Sequence, residues 1–158
     1  MRNVTMNWYL GDQPGSARGS FSWEKEAFGA LVFRRYYQVK NPSKIFVFSD
    51  THPGDVGTPT QRVARGVAAD GVRLEWDKIP GALHNGATPI AFTDGHVQNR
   101  KWIGPLVKQK VNPENRNSTQ QRLQKSAKSS WENKKDILWL LSKSTQYKYN
   151  INEKKNHL

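Results

Sequence analysis

The sequence contains no cysteine, and among its 158 residues only 13 are Asp or Glu against 25 Lys and Arg. Without cysteine, disulfides, thiol catalysis and cysteine-based zinc sites are excluded. No window reaches the roughly 18 apolar residues of a membrane-spanning helix, and the N-terminal stretch does not resemble a signal peptide. On its own, the chain is predicted to be soluble.

The formal net charge of +12 first suggests a nucleic acid or an anionic surface as partner. Residues 1–100 hold 12 Lys and Arg against 9 Asp and Glu, a net of +3, whereas residues 101–158 hold 13 against 4, a net of +9. That second region is also rich in Asn, Gln and Ser. It is either a solvated, partly disordered basic extension or a polyanion-binding tail.

Apolar residues make up 35% of the chain, and 6 Trp, 6 Phe and 5 Tyr must supply much of any core. This composition favours a small sheet-rich domain. Apolar and polar residues alternate over residues 2–11, which predicts a short strand, and over residues 72–77, which predicts a half-buried strand. For residues 21–37 the pattern does not distinguish a helix from short strands. The turn residues Asn41-Pro42-Ser43 introduce the apolar run 45–48, which predicts an interior strand.

The clearest local signal is Asp94-Gly95 between the stretches 88–93 and 96–102. It predicts an antiparallel hairpin with a type I′ turn and with Ile90 and Phe92 on one face. Together these elements predict an α+β fold, built on a small antiparallel sheet with a central hairpin and a short C-terminal helix.

The predicted organisation is a globular sheet domain over residues 1–107, a polar linker over 108–130, a helix over 131–145 and a frayed basic tail over 146–158. Asn133 and Asp136 are interpreted as caps at the start of the helix. Its docking face is predicted to consist of Leu138, Leu141 and Ile137, and to pack either on the domain or on a partner. Trp139 and Leu140 are expected to lie partly off that face.

The stretch HNGATPIAFTDGHV places nine residues between His84 and Asp94-Gly95. It resembles the bacterial prepilin-type processing-associated domain, whose motif is His, nine residues, then Asp-Gly. Further stretches resemble the family in the same order: residues 7–11, PSKIFVFSD at 42–50, Trp102, and DILWLLSKST at 136–145. Together they span nearly the whole chain.

The resemblance implies a pilin-like globular domain of the type II secretion pseudopilin kind. Such proteins carry a cleavable leader and a long apolar helix before the domain, and neither occurs here. We therefore expect a truncated reading frame or an excised domain. The parent protein would be anchored in the inner membrane with this domain in the periplasm or outside. Its partners would be other pilin-like subunits or secretion-system components.

His84, Asp94 and Gly95 are the family-motif residues. By residue type, His84 and Asp94 are a candidate acid–base pair or a candidate pair of metal ligands. A strand rise of about 3.3 Å per residue places the two up to roughly 20–30 Å apart, at opposite ends of the hairpin. The simpler interpretation is structural. Asp94-Gly95 would form the turn, and the His84 side chain would hydrogen-bond the backbone where the chain enters the sheet.

Asp50, His52 and Asp55 lie in or beside the Pro- and Gly-rich loop 51–60. They form either a turn at the end of a strand or a metal site. Asp carboxylates and backbone carbonyls in such a loop suit calcium, which some pseudopilins bind. No other cofactor is predicted.

The sequence offers no Gly-x-Ser-x-Gly elbow and no Gly-rich phosphate loop. We therefore expect a non-enzymatic assembly subunit. The alternatives are a basic nucleic-acid or polyanion binder that uses the tail, and, more weakly, a metal-dependent hydrolase.

Overall fold

The structure is a computed structural model that describes residues 4–11, 32–55, 60–65, 75–109 and 130–145. Most of the ambiguous stretch 21–37, residues 110–129 of the predicted linker and the predicted tail 146–158 lie outside the described residues. So do residues 72–74 of one predicted strand. Among the helices of the described part, none combines the length and the apolar character needed to cross a bilayer.

The described chain forms seven strands and a 14-residue helix. Their bounds are β1 Val4–Asn7, β2 Phe46–Asp50, β3 Thr60–Gln61, β4 Ala64–Arg65, β5 Glu75–Trp76, β6 Ala87–Phe92, β7 Val97–Lys101 and α1 Trp131–Ser144. Three short 3-10 turns lie at Tyr36–Gln38, Pro42–Lys44 and Pro53–Asp55. The turn at Pro42–Lys44 is the one predicted before β2.

Five strands form one sheet in the order β3-β1-β2-β6-β7, and β4 pairs with β5 in a second, two-stranded sheet. The α+β class is confirmed, but the larger sheet is mixed and not antiparallel as predicted. Strand β3 lies on the far side of β1 and runs parallel to it, while the other pairs are antiparallel. A parallel pair needs a crossover between its strands, which alternation within single strands does not reveal.

Strand β2 lies between β1 and β6, so the predicted interior position is confirmed. Its two phenylalanines differ sharply, because Phe46 is fully buried whereas Phe48 is 45% exposed. The pairing register shifts between these two residues, which marks a β-bulge. The run 45–48 is therefore apolar on both faces. Phe46 joins the main core, Ile45 is buried in a second, smaller cluster with Phe33 and Val39, and Phe48 stays exposed.

The hairpin of β6 and β7 is confirmed, with register pairs from Ala87↔Lys101 to Ala91↔Val97. Ile90 and Phe92 are both buried and share a face, as predicted. The predicted type I′ turn at Asp94-Gly95 is wrong. Gly95 has a positive φ of 91° but Asp94 does not, and the Gly95 N–H donates to the Phe92 carbonyl while the Phe92 N–H donates to the His96 carbonyl. This is a longer loop closed by one left-handed glycine.

Helix α1 packs on the buried face of the sheet and completes the main core. Ile137, Leu140 and Leu141 are fully buried against Trp102 and Ile90, among others. Burial of each such side chain contributes about 1.5–3 kcal/mol. The predicted docking face is wrong in one respect, since Leu140 is fully buried whereas Leu138 is half-buried. The helix is thus part of the same core as the domain over residues 1–107.

The predicted caps are also wrong, because α1 begins at Trp131, after Ser130, and Asn133 and Asp136 lie inside it. Both are buried on the docking face. The Asp136 carboxylate accepts hydrogen bonds from the Arg100 guanidinium at 3.1 Å, the Ile103 N–H at 2.9 Å and the Gly104 N–H at 2.7 Å. Asn133 accepts from the Leu106 N–H at 3.4 Å. These two side chains fix the helix to the turn after β7.

Gly104 permits that close approach. A Cβ at this position would lie 3.2 Å from the Cα of Asn133 and closer still to its amide oxygen. At the other end of the helix, the Asn7 amide group donates to the Ser144 carbonyl at 2.7 Å and to the Phe46 carbonyl at 2.8 Å. One side chain therefore joins β1, β2 and the end of α1.

Candidate functional site

His84 opens a tight turn that was not predicted at this position. Asn85 and Gly86 have positive φ values of 51° and 79°, and His84 and Ala87 exchange two backbone hydrogen bonds of 3.2 and 3.0 Å. This is the type I′ arrangement. Asn-Gly is among the strongest sequence signals for such a turn, so the information was present in the sequence.

The His84 side chain points to β2. Its Nε2 lies 3.5 Å from Oδ2 of Asp50, the last residue of that strand. The predicted side-chain hydrogen bond to the backbone is thus replaced by a contact with a carboxylate. The Asp50 carbonyl also accepts from the Gly81 N–H at 2.7 Å. His84 therefore joins the end of β2 to the turn before β6, a non-local contact that residue spacing does not indicate.

Asp94 forms a separate local pair with His96 at the hairpin tip. Oδ1 of Asp94 accepts from the His96 backbone N–H at 3.2 Å and lies 2.6 Å from its Nδ1. The His96 ring also stacks on Phe92, with the ring centroids 4.3 Å apart. Desolvation raises the pKa of Asp94, but the hydrogen bonds from His96 outweigh it and hold this pKa below its ordinary value. The structure gives His84 and Asp94 separate partners. This agrees with the strand geometry, which placed the two residues at opposite ends of the hairpin.

His52 is buried just after β2 and is held by the backbone. Its Nε2 lies 2.7 Å from the Gln109 carbonyl, to which it donates, and its Nδ1 accepts from the Gly54 N–H at 3.2 Å. Burial lowers the pKa of His52 below its ordinary 6.5, although the bond to Gln109 and the charge of Asp55 each raise it. The ring is therefore neutral at physiological pH.

The three predicted metal ligands each have a different partner. Asp50 faces His84, His52 bonds the backbone, and the Asp55 carboxylate accepts from Lys78 Nζ at 3.1 Å and from the Ile79 N–H at 2.8 Å. Within the described ranges, no group of three or more metal-ligating side chains occurs. A calcium ion would have to displace the Lys78 ammonium from Asp55, so this donor set does not fit calcium as it is arranged. Calcium binding stays a prediction.

The sheet face opposite α1 carries a surface that the sequence patterns did not indicate. Cross-strand partners share a face of a sheet, and the pairs Met6↔Phe48, Phe48↔Ala91 and Ala91↔Val97 form one row across four strands. We call these four residues the outer row. Phe48 is 45% and Val97 63% exposed, and Met6 and Ala91 are half-buried.

Neighbouring positions extend this surface. Val4 is 57% exposed on β1, and Pro89 is half-buried on β6. The polar residues Asn99 and Lys101 lie on the same face of β7 and are exposed. The outer row therefore has an apolar centre with a polar margin, the layout of many protein–protein interfaces.

Comparisons with known proteins give no match: no protein-family model, no curated protein and no solved structure corresponds to this chain.

Proposed function

We propose that this chain is the globular part of a non-enzymatic, pseudopilin-like subunit of a type II secretion or type IV pilus-like assembly. The proposal rests on the resemblance carried by His84, Asp94 and Gly95. The observation that favours an assembly role is the outer row, which leaves an apolar stripe on one side of the sheet.

An antiparallel region with one solvated face normally alternates apolar and polar residues, so that its outer positions are polar. Here the outer positions in the centre of the sheet are instead apolar, Phe48 on β2 and Val97 on β7, and the polar outer residues of β7 lie at the margin. Single exposed apolar residues need no explanation, but a contiguous stripe is typical of a surface that binds another protein. The partner we propose is another pilin-like subunit, in the first place a second copy of this chain.

Two neighbouring residues on β7 provide a matched test. Val97 belongs to the outer row, whereas Gln98 is also exposed but pairs with Ile90 on the opposite face. We expect Val97→Lys to weaken self-association by tenfold or more, because a charge would have to be desolvated in the contact. Sedimentation equilibrium over a wide concentration range measures this effect.

Gln98→Lys adds the same charge one residue away and should associate like the original chain. A chain that stays monomeric at the highest concentration, or two variants with equal effects, would argue against the outer row as a self-association surface. The parent protein is tested separately by translating the gene upstream of this reading frame. A leader followed by an apolar helix is the expected result.

A further inference from the structure

A second exposed surface lies on the segment between β1 and β2. Residues 32–49 contain Arg34, Arg35, Lys40 and Lys44 and no acidic residue, and all four cations lie on exposed positions. This cluster belongs to the first 100 residues and is separate in sequence from the basic tail.

Two tyrosines are displayed beside these cations. Tyr36 is 67% and Tyr37 is 74% exposed, in a 3-10 turn. The amide oxygen of Gln38 accepts from the backbone N–H groups of Arg34 at 2.7 Å and Arg35 at 2.9 Å, which fixes the turn. The Arg35 guanidinium lies 3.4 Å from the Tyr37 hydroxyl. The rings are therefore presented by an ordered backbone.

A cleft opens next to Tyr36. Its volume is about 250 Å³, and its apolar wall includes Leu10, Phe33, Val39 and Val47. Arg35 and Tyr36 stand among its lining residues. This volume is below the roughly 300–1,000 Å³ of pockets for drug-sized ligands. The cleft therefore suits one flat ring better than a larger molecule.

We propose that this surface binds single-stranded nucleic acid. The arginines would contact phosphates, Tyr36 and Tyr37 would stack on bases, and the cleft would receive one base. Cations that track the backbone and aromatic rings that stack on bases are the two elements of such sites. A duplex keeps its bases stacked internally, and an acidic peptide has no flat rings for the tyrosines, so both fit less well.

The test uses the full chain and fluorescence anisotropy with a labelled oligothymidylate over a series of salt concentrations. Tyr36→Ala with Tyr37→Ala removes the rings without changing the net charge. We expect the affinity to fall by about fivefold to a hundredfold for each base that loses its stacking partner. The salt dependence should stay the same. Tyr36→Phe with Tyr37→Phe keeps the rings and should restore binding.

Arg34→Gln with Arg35→Gln tests the proposed phosphate binding. On a single strand, each phosphate that a cation neutralises contributes about 0.7 to the slope of log K against log salt, so the double variant should lower this slope by about 1.4. Lys108→Gln with Lys134→Gln removes two exposed charges elsewhere and is the matched control for general attraction. Its slope should change less.

Three results would overturn the proposal. They are an absence of binding at low salt, an alanine variant that is folded and binds like the original, and equal binding of a duplex or a poly-glutamate peptide. The last result would assign the cations to general polyanion attraction. A far-ultraviolet circular dichroism spectrum and an unfolding midpoint show whether each variant is folded. None of these results depends on the outer row, so this proposal and the assembly proposal fail separately.

Discussion

The two faces of the sheet have similar apolar side chains but different surroundings. On the inner face, Ile90 and Phe92 are buried beneath Trp102 and α1. On the outer face, Phe48 and Val97 remain exposed. Because residues alternate between the faces along each strand, both sets come from the same short stretches of sequence. Which face is covered is therefore decided by where a distant segment packs, here a helix that begins 30 residues after β7 ends.

One of the two largest expected effects comes from Asp136, which joins that helix to the inner face. Its carboxylate is fully buried and bonds Arg100, Ile103 and Gly104. Asp136→Ala leaves a partly buried guanidinium and two backbone N–H groups without this acceptor. We expect a loss of about 3–5 kcal/mol in the free energy of unfolding, measured by urea titration.

Arg100→Met with Asp136→Ala serves as the companion variant. Removal of both charges should cost less than the sum of the two single changes, because no unpaired ion remains. Additive losses would mean that the ion pair does not couple the helix to β7. The Arg100 guanidinium also lies 4.4 Å from the centroid of the Trp139 ring, so the Met side chain must replace that contact as well.

The second prediction compares the two faces directly, on one strand. Phe46→Ala removes a fully buried ring from the core and should cost about 3–5 kcal/mol. Phe48→Ala removes a ring from the outer row and should change the stability of the monomer by less than about 1 kcal/mol. Thermal or urea unfolding at low protein concentration measures both.

Low concentration matters because association through the outer row would stabilise the folded state. At high concentration, Phe48→Ala should therefore become more costly while the cost of Phe46→Ala stays constant. Equal losses for the two variants at low concentration would show that the outer face is covered in the monomer.

The hairpin could be predicted because its signals are local. Alternation over residues 87–92 fixed the face of Ile90 and Phe92, and Gly95 marked the turn. Only the turn type was wrong. The second turn, at Asn85-Gly86, has a turn sequence at least as typical of a hairpin. The two segments that flank it do not both carry apolar residues on one face, so the alternation pattern did not indicate a hairpin there.

The docking face of α1 could not be read from apolar residues alone. Its buried positions 133, 136, 137, 140, 141 and 144 follow helical spacing, but three of them are polar. Asn133 and Asp136 are buried because they bond the turn after β7, and Ser144 because its carbonyl accepts from Asn7. Those partners lie far away in the sequence. The contact between His84 and Asp50 was missed for the same reason.

The smallest expected effect lies beside the end of β2, where His52 is buried and neutral. Its pKa is lowered in the folded protein, mainly by burial, so the unfolded chain takes up a proton more readily below its ordinary pKa of 6.5. The stabilisation that the neutral His52 ring contributes to the folded state is therefore complete above about pH 6.5. It is lost progressively as the pH falls toward the folded-state pKa. One proton limits the slope to about 1.4 kcal/mol per pH unit.

His52→Gln should remove that slope while keeping a polar side chain near the Gln109 carbonyl. The readout is the difference in unfolding free energy between the original chain and the variant from pH 5 to pH 8. The loss of the packed imidazole ring changes the difference in unfolding free energy by the same amount at every pH. Protonation of His52 changes this difference only in the acidic part of the range. The variant should therefore be less stable than the original at pH 8 and approach it as the pH falls. A difference that stays constant with pH would mean that His52 becomes protonated in the folded state as readily as in the unfolded one, in spite of its burial.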